Sequence, residues 1–220
     1  MINIEDQETL FKVISQKLKK DLTCYAFGGN AMMYYGYKNA TKDVDILFET
    51  EAEIREFVRV LVEIGYKRIS LSGIYSDLQV KDPHKPEMYM LKDERFDLFM
   101  GKIFRMYISK SMKERVWGKY EYRLSEKSLT VYVLAKEDII LLKSITNRER
   151  DFDDILLIID KEKGIDWDAI IDEAIEQYKL GNEWVVLDME EFLQKLKKQV
   201  YIKEEYFDRL YSVFAKKKKS

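Results

Sequence analysis

Phe27-Gly28-Gly29-Asn30-Ala31, followed by Lys42-Asp43-Val44-Asp45-Ile46-Leu47-Phe48, is the stretch whose reading decides the fold. The apolar run from Thr23 to Phe27 predicts a strand, Asn30 to Tyr35 a helix, and Val44 to Phe48 a second strand. Asp43 and Asp45 are two residues apart in that second extended run, so both carboxylates project from the same sheet face. Like charges so placed repel unless a cation lies between them. Hard oxygen donors without nitrogen or sulfur partners suit Mg²⁺ or Mn²⁺, which complete their shells with water and substrate phosphates. Glycines where a strand gives way to a helix let the backbone approach a ligand closely, and the start of a helix favours phosphate oxygens. Asn30 is a good N-cap residue, and capping alone would also account for it. Alone, a Gly-Gly is an ordinary turn and an Asp-x-Asp an ordinary solvated strand edge. In the order strand, Gly-Gly, helix, loop, Asp-x-Asp strand, they point to a nucleotide-and-metal site.

In order and spacing, Gly28, Gly29, Asp43 and Asp45 resemble the nucleotidyltransferase superfamily typified by DNA polymerase beta. The resemblance implies a third carboxylate on a later strand. Asp97 is the candidate, a single acid interrupting the apolar run Arg95-Phe96-Asp97-Leu98-Phe99-Met100, whereas Asp93 and Glu94 read as turn residues. Many members carry Ser after the first glycine; this chain has Gly29 and then Asn30, so a hydroxyl contact to the terminal phosphates has no counterpart here. Glu137 to Lys143 and Asn147 to Ile155 look like the helical continuation of abortive-infection (AbiEii-like) nucleotidyltransferases. In those proteins a Lys and an Arg-Asp pair face the nucleotide, which assigns that part to Lys143 and Arg150, with Gly28, Gly29, Asn30 and Lys42 as further nucleotide-binding positions. Taken as residues, Lys143 on an apolar helix reaches either solvent or a phosphate, and Arg150-Asp151 is equally a surface pair at a helix start.

The chemistry this resemblance implies is transfer of a nucleoside monophosphate from a nucleoside triphosphate to an acceptor hydroxyl or phosphate. One Mg²⁺ or Mn²⁺ ion would be held by Asp43 and Asp45, and a second by those two and Asp97. The acceptor stays open among RNA, protein and a small molecule, with a toxin of a toxin–antitoxin pair as one role. The alternative is a catalytically inactive module that keeps the fold to bind a nucleotide or a partner.

Composition agrees with a folded enzyme. With 46% hydrophobic and 35% charged residues and only 2 prolines in 220 residues, the chain has the makings of a sizeable core. Lys+Arg 38 against Asp+Glu 40 gives a net charge of −2, so no global field advertises nucleic-acid binding. Cys24, the lone cysteine, excludes a disulfide within the chain, and His84, the lone histidine, has no neighbours for a zinc site. The acids and amphipathic spacing of Met1 to Lys20 do not read as a targeting segment, and no window reaches membrane-spanning length, so the expected location is the cytoplasm.

Periodicity divides the chain at about residue 135. Residues 1–135 mix helices (Glu8 to Leu18, Asn30 to Tyr35, Glu51 to Ile64) with strands (among them Tyr66 to Ser70, Glu87 to Leu91, Arg95 to Phe99, Glu121 to Leu124 and Thr130 to Val133). That order predicts an α/β (α+β) nucleotidyltransferase-like mixed sheet with flanking helices. Residues 136–220 read as a helical domain with helices at Lys136 to Thr146, Asp151 to Asp160, Asp166 to Tyr178, Asp188 to Val200 and Lys203 to Phe214, ending in a short disordered lysine tail.

Overall fold

The first 134 residues alternate strand and helix in chain order: β1 (Ile2–Asn3), α1 (Ile4–Lys17), β2 (Leu22–Ala26), α2 (Gly28–Tyr34), β3 (Ala40–Thr41), β4 (Asp43–Phe48) and α3 (Glu51–Glu63). Next come β5 (Lys67–Ile69), α4 (Asp77–Lys81), β6 (Glu87–Leu91), β7 (Glu94–Met100), β8 (Lys102–Ile103), β9 (Met106–Tyr107), α5 (Lys110–Glu114), β10 (Gly118–Tyr122) and β11 (Leu129–Val133). Helices α6 (Lys136–Ser144), α7 (Glu149–Lys161), α8 (Trp167–Lys179), α9 (Val185–Leu196) and α10 (Glu204–Lys217) complete the chain. This is a computed structural model, and it describes residues 1–74, 77–146 and 148–217. Asn147 and the last three residues of the lysine tail lie outside the described residues.

A nine-stranded mixed sheet runs in the order β10-β11-β2-β4-β7-β6-β5, with β8 and β9 continuing from β7. β4 is central, antiparallel to β2 and parallel to β7, so both of its edges are hydrogen-bonded. Its alternation decides what each face does. Val44, Ile46 and Phe48 share one face with Phe96 of β7, and all four are buried. Here Phe57 of α3 meets the rings of Phe48 and Phe96, and Phe11 of α1 meets Phe96. Burying such rings supplies about 1.5–3 kcal/mol each, which is why α1 and α3 pack on this side. Asp43 and Asp45 of β4 and Asp97 of β7 are left to the opposite face.

Capping reinforces the frame. Thr50 accepts from the Glu53 amide while the Glu53 carboxylate accepts from the Thr50 amide, closing a capping box at the start of α3. Ile54, Phe57, Val60 and Leu61 form the buried stripe of that helix.

Contacts divide the chain into two compact units. One comprises Met1–Ile108 with Lys113–Leu134, the other Ser109–Met112 with Ala135–Ser220. In the second, α6 is buried along its length from Glu137 to Ser144 and packs against α7, α8 and α9. Among the described residues no helix is long and apolar enough to cross a membrane.

Several elements start earlier than their spacing predicts. Asn30 does not cap α2: the helix starts at Gly28, preceded by extended Phe27, and Asn30 lies buried inside its first turn. The positive φ of Gly28 (59°) makes the chain turn two residues earlier than a capping preference would place it. β10 starts at Gly118, three residues before the predicted strand, and α9 at Val185, ahead of Asp188. Strands β1, β3, β8 and β9 have two residues each, too few to show alternation in a sequence.

Candidate active site

Parallel pairing sets the register of β4 and β7 so that Asp43 faces Arg95 and Asp45 faces Asp97. Register partners on neighbouring strands are about 5 Å apart and point to the same side, so the four side chains form the corners of a square. Asp97 is fully buried, and Asp43 and Asp45 are half-buried.

Arg95 ties the square together. Its Nε donates to Asp97 Oδ1 at 2.8 Å and its Nη2 to Asp97 Oδ2 at 3.1 Å, a two-pronged grip on one carboxylate. The same Nη2 also bonds Asp43 Oδ2. Thr41 Oγ1 donates to the other oxygen of Asp43 at 3.3 Å. A guanidinium thus offsets part of the repulsion that three acids on one face create. The residue escaped the sequence reading, although its position two before Asp97 on a strand already places it on that face.

Gly28 is the second element. A Cβ built there would lie 2.4 Å from Asp45 Oδ2 and 3.1 Å from Asp45 Cγ. The backbone at the turn therefore presses directly on the Asp45 carboxylate, an approach no other residue allows. A Cβ at Gly29 would lie 2.6 Å from Thr41 Oγ1. Asn30 Nδ2 donates to the Asp45 backbone carbonyl at 3.4 Å, while its buried Oδ1 has no hydrogen-bond partner among the described residues. Gly28, Gly29, Asn30, Asp43, Asp45 and Asp97 thus come together around one corner of the sheet. Lys42, next in sequence, is exposed.

Carboxylate oxygens alone make up this donor set, a chemistry that fits a hard divalent cation. The side chains do not form a ready-made ligand cage: among the described residues no three His, Cys, Asp or Glu groups stand placed to hold a metal ion. Arg95 takes both oxygens of Asp97 and one of Asp43.

Lys143 and Arg150 belong to the second unit. Lys143 is neither snorkelling nor exposed; it is buried, with Nζ 2.7 Å from both Asp151 Oδ1 and Asp154 Oδ2. Arg148 and Thr146 also bond Asp151, at 2.5 and 2.6 Å. Arg150 is exposed on α7. A cavity of about 60 Å³ opens beside Lys143, lined by Arg148, Phe152, Phe192 and Lys195 among others, with Lys195 Nζ 3.9 Å above the Phe152 ring.

Burial pushes the Asp151 carboxyl up, but the Lys143 charge and the hydrogen bonds from Lys143 and Thr146 outweigh it and hold the group below its ordinary value. A depressed carboxylate contributes stability above its unfolded pKa of about 3.9, and that contribution is lost as pH falls through the lower folded value. Urea midpoints should therefore drop on acidification below about pH 4, with a shallower drop in Asp151→Asn. Lys143→Ala, which leaves two buried carboxylates facing one another, should cost about 3–5 kcal/mol in the same measurement at neutral pH.

No protein-family model matches this sequence, and no curated protein gives a significant match. Among solved structures, the chain is similar to the crystal structure of ANT(2")-Ia in complex with adenylyl-2"-tobramycin, with 16% identity and a TM-score of 0.38, covering 86% of this chain and 98% of that one. It is also similar to the solution structure of the antibiotic-resistance factor ANT(2'')-Ia, with 14% identity and a TM-score of 0.37, covering 87% and 91%. TM-scores this low do not establish a shared fold, and the site stands on the chain's own residues.

Proposed function

We propose that this chain is a nucleotidyltransferase that moves a nucleoside monophosphate from a nucleoside triphosphate to an acceptor hydroxyl or phosphate. The observation that carries the reading is the set of three carboxylates on one face of β4 and β7, pressed at Asp45 by the Gly28 turn. Asp43, Asp45 and Asp97 would hold Mg²⁺ or Mn²⁺, which when bound supplies charge against the triphosphate and lowers the pKa of an attacking hydroxyl. Gly28 and Gly29 bring the backbone at the start of α2 against Asp45 and Thr41, closer than any side chain would allow. Phosphoryl transfer asks mainly for positioning and electrostatics, so the site needs no Ser/His or Cys/His set. Lys42, Lys143 and Arg150 are assigned to the nucleotide by family resemblance alone, as is a toxin-like role.

Arg95 favours a second reading. A guanidinium that already pairs with Asp43 and Asp97 is also what a non-catalytic nucleotide-binding or partner-binding module would need to keep its acids paired. Incubating the purified protein with each α-labelled nucleoside triphosphate, Mn²⁺ or Mg²⁺, and cell extract separates the two. Label appearing on RNA, on protein or on a small molecule supports transfer and identifies the acceptor class. No label on any fraction, with every triphosphate and both metals, supports the module.

A further inference from the structure

Arg95 competes for the same oxygens a cation would use. Its fork occupies both oxygens of Asp97, and Asp97 is fully buried, so these bonds are not loose surface pairs. The side chain is itself only 14% exposed. A cation entering among Asp43, Asp45 and Asp97 would sit against the same carboxylates as the Arg95 guanidinium, and the repulsion between the two positive charges favours a guanidinium that moves to another anion. On that sheet face, next to the Gly28 turn, the fitting anion is a phosphate group, whose oxygens match the same planar fork.

We propose that Arg95 is an exchangeable counter-ion: it pairs with Asp43 and Asp97 until a divalent cation displaces it, and it then bonds the phosphates of the nucleoside triphosphate. The inference rests on the nucleotidyltransferase reading and deepens it, making Arg95 a positioning residue that links cation and nucleotide binding. The exchange has a thermodynamic consequence. Cation binding to the nucleotide-free protein carries the cost of freeing the acids, because affinity is reduced by the fraction of molecules in the competent state. Nucleotide repays that cost by accepting the guanidinium, so the two ligands bind with positive, reciprocal coupling.

The test is Mn²⁺ binding followed by electron paramagnetic resonance of the free ion, on wild type and Arg95→Gln, with and without a non-hydrolysable triphosphate analogue. With an arginine-free state populated at about 1–10%, Arg95→Gln should bind Mn²⁺ alone about 10- to 100-fold more tightly than wild type. The variant should also bind the analogue more weakly in the presence of Mn²⁺, with most of the coupling gone. A folded Arg95→Gln protein that binds Mn²⁺ no more tightly than wild type overturns the exchange while leaving nucleotidyl transfer standing. Absence of Mn²⁺ binding in both proteins, with or without the analogue, overturns the exchange and the transfer reading together. If Arg95→Gln fails to fold, Arg95→Lys replaces it, since one ammonium cannot grip both oxygens of Asp97 and reach Asp43. Its Mn²⁺ affinity must also rise, and an unchanged value overturns the proposal.

Discussion

On the proposed reading, Asp97→Asn is expected to lower nucleotidyl transfer by about 10³-fold, the loss that follows when several kcal/mol of cation-mediated stabilisation disappear from the transition state. The substitution conserves volume at a fully buried position, and Arg95 keeps its bond to Asp43. Weakening the two-pronged grip costs about 1–3 kcal/mol of stability, so the sheet remains folded while turnover collapses. Initial rates of label transfer, taken beside a thermal melt, check both halves of this expectation. A variant that melts normally and turns over near the wild-type rate removes Asp97 from the site.

The second large effect is Gly28→Ala. Two penalties coincide there. The left-handed φ of 59° costs an L-residue about 1–2 kcal/mol, and the new Cβ would lie 2.4 Å from Asp45 Oδ2. The carboxylate must then swing aside or the turn must move. A displacement of about 1 Å at a reacting centre costs roughly 10²-fold in rate, so activity should fall by at least that factor while stability falls only modestly. Comparing the rate loss with the shift in unfolding midpoint distinguishes this from general destabilisation. Loss of both in proportion would mean that Gly28 matters to the turn and not to the acids.

The parts of the site that were legible in the sequence are those governed by short-range rules. Asp43 and Asp45 share a face because a strand repeats every two residues, and Gly28 sits at the junction of β2 and α2 because its positive φ favours glycine, while Gly29 lies where a Cβ would meet Thr41. Asp97 stands out as one acid in an apolar run, and its pairing with Asp45 could only come from the register of two strands some fifty residues apart in sequence. Arg95 was hidden for a related reason. On a strand edge an arginine is an ordinary solvated residue, and its role depends on facing Asp43 across the β4–β7 pair. Asn30 misled in the opposite direction, since a good capping residue was present but the backbone turned at Gly28 first. From its own apolar helix alone Lys143 reaches either solvent or a phosphate; its two carboxylate partners come from α7.

Anomalous diffraction from crystals soaked in Mn²⁺ and a non-hydrolysable nucleoside triphosphate tests the central claim most directly. The claim predicts a manganese peak bonded to oxygens of Asp43, Asp45 and Asp97, with the triphosphate beside Gly28 and Gly29 and the Arg95 guanidinium turned from Asp97 to a phosphate. Manganese and nucleotide bound elsewhere, with Arg95 still holding Asp43 and Asp97, would contradict it.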